Sequence, residues 1–176
     1  MKTEYECRIL DVDVEEIQKK LEGIGAKKVK ERSMRRYVYD IDPNREGFWI
    51  RLRDNGEKTT LTLKEKLSDE IDGTKEIEIT VDDFEKTNTL LNRLGFVAKA
   101  YQENKRISFV YKDVEIEIDF WPRIPAYMEI EADSVEKVEK VVKLLGFKMS
   151  DTTCISIPKV YQKYGLDIHK FKELKF

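Results

Sequence analysis

Near the N-terminus the stretch EYECR sets Glu4, Glu6 and Arg8 at every second position, with Tyr5 and Cys7 between them. Successive side chains of an extended strand take opposite faces, so two carboxylates and a guanidinium would share one face. The pattern recurs along the chain. In GFWIRLRD, Arg51 and Arg53 oppose Ile50 and Leu52; in TTLTLKEK, Lys64 and Lys66 oppose Leu61 and Leu63. In KEIEITV, Glu76 and Glu78 oppose Ile77 and Ile79; in KRISFVY, Arg106 and Ser108 oppose Ile107 and Phe109. VEIEIDFW sets Glu115, Glu117 and Asp119 against Val114, Ile116 and Ile118, and YMEIEAD sets Glu129 and Glu131 against Met128 and Ile130. Acids gather on some segments and bases on others. Bases in such numbers attract an anion, and acids beside them would repel it unless a cation intervenes.

These segments, the opening strand and RRYVYDI together predict about eight strands of antiparallel type. On one isolated strand a charged face is ordinarily solvated, but surface strands mix neutral polar groups with alternating charge, whereas here the signs are segregated. A barrel of about eight strands encloses room for side chains or one small ligand, so the polar faces can line a tunnel. Three helices are predicted to cover the outer, apolar face. Each begins with an Asp cap and a Glu three residues later and ends at a glycine: Asp13/Glu16 to Gly25, Asp82/Glu85 to Gly95, and Asp133/Glu136 to Gly146. Their apolar stripes are Val14, Ile17, Leu21 and Ile24; Phe84, Leu90, Leu91 and Leu94; and Val135, Val138, Val141, Val142 and Leu145. The fold class expected is α+β, a closed antiparallel eight-stranded barrel with amphipathic helices outside.

Composition removes other classes. A chain of 176 residues suits one domain, 1–176, and a net charge of −2 gives no global field for nucleic acid or a membrane surface. There is no apolar run of signal-peptide or membrane-span length, and the chain reads as cytosolic. Two cysteines, Cys7 and Cys154, are too few for a disulfide framework, and Cys7 lies on an apolar face as a core thiol. The lone histidine, His169, argues against serine or cysteine triads and His-rich zinc sites, so any metal would be held by carboxylates. No glycine loop of the G-x-x-x-x-G-K kind is present.

In order and parity the charged pairs resemble the CYTH superfamily, or triphosphate tunnel metalloenzymes, over nearly the whole chain. EYECR is similar to the family's E-x-E-x-K, with Arg8 at the lysine position, and WIRLR, TLKEK, EIEI, IDFWP and MEIEA follow in family order. The tail VYQKYGLDI resembles the ends of class IV adenylate cyclase-type members. The resemblance implies a barrel that holds a small-molecule triphosphate lengthwise: ATP, tripolyphosphate or thiamine triphosphate. Arg8, Arg51, Arg53, Lys64, Lys66 and Arg106 would offset its roughly four negative charges. Glu4, Glu6, Glu129 and Glu131 would hold Mg²⁺ or Mn²⁺, and Glu76, Glu78, Glu117 and Asp119 are candidates for a second metal position or for orienting bases. Arg8, Glu78 and Asp119 are the catalytic candidates. No nucleic acid or membrane partner is implied, and a homodimer is compatible with the family.

Two departures bear on the reaction. Arg8 stays protonated and cannot serve as a base, which favours a cyclase over water activation by a triphosphatase. The family's Asp-x-Tyr-x-Asp run is matched at Asp40, but Tyr37 and Tyr39 fall one position off. Trp49 and Trp121 share the parity of Arg51 and Asp119, so they either stack on a nucleobase at the mouths or join a rim cluster beneath a helix. The tail from Pro158 to Phe176 is expected as short helical turns broken at Gly165, with Val160, Tyr161, Tyr164, Leu166 and Phe171 packed across one tunnel end.

Overall fold

The computed structural model describes residues 1–42, 45 and 47–176. The alternating segments form β1 (Lys2–Ile9), β2 (Lys27–Asp40), β3 (Phe48–Asp54), β4 (Thr59–Lys66), β5 (Thr74–Val81), β6 (Ala100–Tyr111), β7 (Val114–Phe120) and β8 (Tyr127–Ala132). Their neighbour order is β2-β3-β4-β5-β1-β8-β7-β6, all antiparallel, and a β2–β6 pairing closes the ring into an eight-stranded barrel. Closure needs length: β2 runs well upstream of RRYVYDI and β6 upstream of KRISFVY, giving a seam from Lys27↔Val110 to Val38↔Ala100 with a bulge between Lys28 and Lys30.

The apolar faces point outward, and the helices α1 (Val14–Gly23), α2 (Phe84–Arg93) and α3 (Val135–Leu144) pack on them. Helices α1 and α3 cover β1 and β6–β8, burying Ile17, Leu21, Val138, Val141, Val142 and Leu145 against Cys7, Ile116, Ile118, Met128 and Ile130. Helix α2 covers β2 and β3 through Phe84 and Leu91 on Tyr39 and Leu52. Its Leu90 and Leu94, expected in the buried stripe, are exposed, because only the Phe84/Leu91 edge of this helix meets the sheet. Outward Ile77 and Ile79 of β5 also remain exposed.

The caps partly differ from expectation. Asp13 caps α1, but α2 is capped by Asp83 rather than Asp82, its carboxylate accepting from the Lys86 amide at 2.8 Å. Ser134 rather than Asp133 precedes α3; Asp133 instead accepts from Lys137 at 2.7 Å. All three helices finish in the same Schellman turn. Gly25, Gly95 and Gly146 follow the last turn with φ of 82°, 94° and 83°, and the next amide reaches back to Leu21, Leu91 and Val142.

The tail folds over one end of the barrel. Helix α4 (Ile157–Lys163) starts one residue before Pro158, and Gly165 breaks the chain as expected. After a 3₁₀ turn at Ile168–Lys170 the chain ends in β9 (Glu173–Leu174), a short strand parallel to β6 rather than a further helical turn. Val160, Tyr161, Ile168 and Leu174 bury Trp121, Ile124 and Tyr127, with Tyr164, Leu166 and Phe171 packed around them.

Candidate active site

Because the helices take the apolar faces, the polar faces of all eight strands line the interior. Every expected site residue is there: Glu4, Glu6 and Arg8 on β1, Arg51 and Arg53 on β3, Lys64 and Lys66 on β4, Glu76 and Glu78 on β5, Arg106 on β6, Glu117 and Asp119 on β7, and Glu129 and Glu131 on β8. Tyr37 and Tyr39 face outward into the α2 core, so neither lines the tunnel. Trp121 belongs to the rim cluster under the tail, its ring 6.3 Å from that of Tyr161. Half-buried Trp49 sits opposite Lys64.

The interior charge is arranged by wall. In an eight-stranded ring β2 and β3 stand four places from β1 and β8, so these pairs of strands face each other. The β2–β3 wall is basic. Arg36 lies directly across from Arg53, and Arg51 is two residues along. Like charges placed directly opposite are destabilising unless something neutralises them. Arg51 and Arg53 each reach Glu78 at 3.4 Å, whereas among the described residues Arg36 has no carboxylate partner; it donates to the Asn104 side-chain oxygen and stacks on Trp121, 4.7 Å from the ring centroid. Burial, with Arg51 and Arg106 nearby, pushes Arg36 down to about 9; Arg51, aided by burial, holds Arg53 well below its ordinary value. Among the described residues the buried Nε atoms of Arg32, Arg36, Arg51 and Arg53 have no hydrogen-bond partner. Arg32 and Arg36 were not among the expected site residues. Their parity relative to Arg35 and Tyr37 carries the signal, but it becomes decisive only once Tyr37 is known to face outward.

The facing wall is acidic. Glu6 pairs across strands with Glu131, Glu131 with Glu115, and Glu129 with Glu117. Burial pushes Glu131 up to about 8, reinforced by Glu4, Glu129 and Glu6. Burial likewise pushes Glu4 and Glu117 up to about 7, against the pull of Lys64 on the first and Arg106 on the second. Glu129 is the exception: burial opposes its ionisation, yet Arg8 and Arg106 hold it down at about 2.

Several expected ligands already have partners. The Arg8 guanidinium lies 3.0 Å from Glu6 and 2.6 Å from Glu129, and also donates to the Ile155 carbonyl at 2.9 Å. Lys64 bridges Glu4 at 2.8 Å and Glu76 at 3.2 Å. Arg106 forks onto Asp119 at 2.9 and 2.5 Å, and Asn104 donates to the same carboxylate at 3.1 Å. The Thr62 hydroxyl donates to Glu78 at 2.8 Å. Lys66 stands near Glu6 and Asp69, its ammonium lowered chiefly by burial. Among the described residues no three acids, histidines or cysteines converge into a ready metal site. The donor set nevertheless suits a hard divalent cation. It consists of carboxylate oxygens, and burial raises three of these carboxyls toward neutrality, with neighbouring carboxylates adding to the rise.

Comparisons with known proteins agree with this architecture. The chain is 26% identical over 162 residues, 89% of this chain and 91% of the other, to "Putative adenylate cyclase MJ0240" of Methanocaldococcus jannaschii. A conserved hypothetical protein from Pyrococcus furiosus has the same fold, with a TM-score of 0.76 at 24% identity over 88% of this chain and 98% of that one. So has the Hippeastrum protein "Putative adenylyl cyclase HpAC1", described as having a dominant triphosphatase activity, with a TM-score of 0.61 at 17% identity over 97% of this chain and all of the other (100%). The CYTH domain model matches residues 2–153, and on that match, spanning all eight barrel strands and α1–α3, the chain belongs to the CYTH family.

Proposed function

We propose that this CYTH protein is a divalent-metal-dependent enzyme acting on a triphosphate inside the barrel, and that its reaction is the class IV cyclase one: ATP to cyclic AMP and pyrophosphate. The observation that carries the triphosphate reading is the Arg36–Arg53 pair. Buried Arg36 and half-buried Arg53 face each other across neighbouring strands; among the described residues Arg36 has no carboxylate partner, and the Nε of each has no hydrogen-bond partner. Such a pair is costly unless a polyanion lies against it.

With phosphates on the β2–β3 wall, the acidic β1–β8 wall lies on their far side. Glu4, Glu6, Glu129 and Glu131 would hold Mg²⁺ or Mn²⁺ there, and that ion would supply Lewis-acid polarisation of the phosphate oxygens. Glu78 positions Arg51 and Arg53, and Asp119 positions Arg106, since their oxygens are already engaged with those groups. In cyclisation the ribose 3′-oxygen bonds to the α-phosphorus, the α–β bridging bond breaks and pyrophosphate leaves. Glu117, raised to about 7, is suited to take the hydroxyl proton. Arg8, permanently protonated and held by Glu6, Glu129 and Ile155, orients the acidic wall and offers no base for activating water.

A triphosphatase acting on tripolyphosphate, thiamine triphosphate or a nucleoside triphosphate is the second reading. The same walls serve it, and the Hippeastrum protein of the same fold is described with that activity. Incubating the protein with ATP or tripolyphosphate and Mg²⁺ or Mn²⁺, then separating products, decides. Cyclic AMP with pyrophosphate supports the cyclase, and released orthophosphate supports the hydrolase. Binding without turnover under either metal, abolished by Lys64→Ala, would leave a triphosphate-binding protein with no catalysis.

A further inference from the structure

The chain's two cysteines come from opposite ends of the sequence, and the fold sets them side by side. Where β5 leaves β1, the segment around Thr153 takes its place. The Arg8 amide donates to the Thr153 carbonyl at 2.8 Å and the Thr153 amide returns the bond to Arg8 at 2.9 Å, an antiparallel bridge. Arg8 and Thr153 are thus a hydrogen-bonded pair, and the adjacent pair in that register, Cys7 with Cys154, is the non-hydrogen-bonded kind. In such a pair the Cα atoms stand about 4.5 Å apart, within the span that a disulfide bridges. Both side chains belong to one apolar cluster. Cys7 is fully buried there, and half-buried Cys154 packs against the same residues. No polar contact would be lost from the tunnel, because Cys7 lies on the opposite face of β1 from Glu6 and Arg8.

We propose that Cys7 and Cys154 form a cross-linking site, oxidised to an intramolecular disulfide by a low-molecular-weight disulfide such as oxidised glutathione. Cys154 is the entry point, since Cys7 is closed to any external reagent. The Cys154 thiol loses its proton and its sulfur attacks one sulfur of the oxidant, whose S–S bond breaks; the departing thiolate takes up a proton. Cys7 then loses its proton and attacks the Cys154 sulfur, expelling the second small thiolate, which is protonated in turn. Two protein thiols become one disulfide while one small disulfide becomes two thiols. The bond ties β1 to the segment leading into α4, fixing the tail over the barrel end at the point where Arg8 reaches the Ile155 carbonyl.

The test uses the full chain, reduced and then incubated with oxidised glutathione. Thiols that alkylate after unfolding should fall from two to none, with loss of two hydrogens from the intact mass and a Cys7–Cys154 linked peptide in a non-reducing digest. The oxidised chain should melt higher by on the order of 5 °C, reversibly on reduction, and the Arg8 and Thr153 amides should exchange about tenfold more slowly. Cys7→Ser should stop at one glutathione on Cys154. Thiols that both stay free, a glutathione adduct that persists on Cys154 in the native sequence, or cross-links formed only between chains would each overturn the proposal. None of these readouts depends on which triphosphate reaction the barrel performs.

Discussion

At the scale of single residues, the two walls respond to substitution with opposite sign. Arg36→Met keeps the apolar stem on Trp121 and removes a like charge opposite Arg53. Stability without ligand should hold or rise, by up to about 1 kcal/mol, while tripolyphosphate affinity falls tenfold or more. Thermal melts and calorimetry on the same variant check both signs. Arg8→Met leaves buried Glu6 without its guanidinium and leaves Glu129 only Arg106, and should cost about 3 kcal/mol, read by denaturant unfolding. The acidic wall also sets a pH dependence. Glu4 and Glu117 at about 7 and Glu131 at about 8 lie above the ordinary value of 4.5, so the folded state favours their protonated forms. Their contribution is complete below about 4.5 and is lost as pH rises through 7 to 8. Glu129, held at about 2, acts in reverse: its contribution is present above about 4.5 and is lost as pH falls toward 2. The melting temperature without divalent ion should therefore fall between pH 5 and 8. Mg²⁺ should lessen the fall and Glu131→Gln should flatten it; a melting curve indifferent to pH and to Mg²⁺ would remove the case for the acidic wall as a cation site.

Elements were legible from the chain to the extent that their signals are local. Strand parity depends only on neighbouring residues, and it placed Glu4, Arg53, Lys64 and Asp119 on the right face without any knowledge of partners. The three glycine stops were equally plain. At Gly95, with φ of 94° and open space around an added Cβ, the cost of Gly95→Ala is the backbone conformation alone, about 1 kcal/mol of stability in a melt. What escaped were choices between adjacent candidates: Asp83 over Asp82, and Ser134 over Asp133. One residue of helix phase decides these, and the phase is set by which apolar side chains reach the sheet. The same reason left Leu90 and Leu94 exposed although their spacing suits a stripe. The strand β9 escaped because two residues hold no period; it exists only because β6 offers it an edge.

At the scale of the whole molecule, the barrel stores unneutralised charge of both signs, so ligands should stabilise it jointly. Tripolyphosphate with Mg²⁺ at a hundred times Kd should add about 2.7 kcal/mol, and either alone should add less than its share, because each neutralises only one of the facing walls. A melt series over the two ligands reads this directly, and additive shifts would contradict opposed walls. From the sequence by itself came the alternation, the segregation of acids and bases by strand, the three capped helices and the family resemblance, since each is written in residues a few positions apart. Only the tertiary structure decided which strands face each other. Ring order set β2–β3 against β1–β8, strand register brought Arg36 opposite Arg53 and Arg8 beside Glu129, and the path of the tail drew Cys154 beside Cys7. The facing of the walls follows from closure of the sheet, a property of all eight strands at once; the other contacts follow from strand register and from where the tail crosses β1.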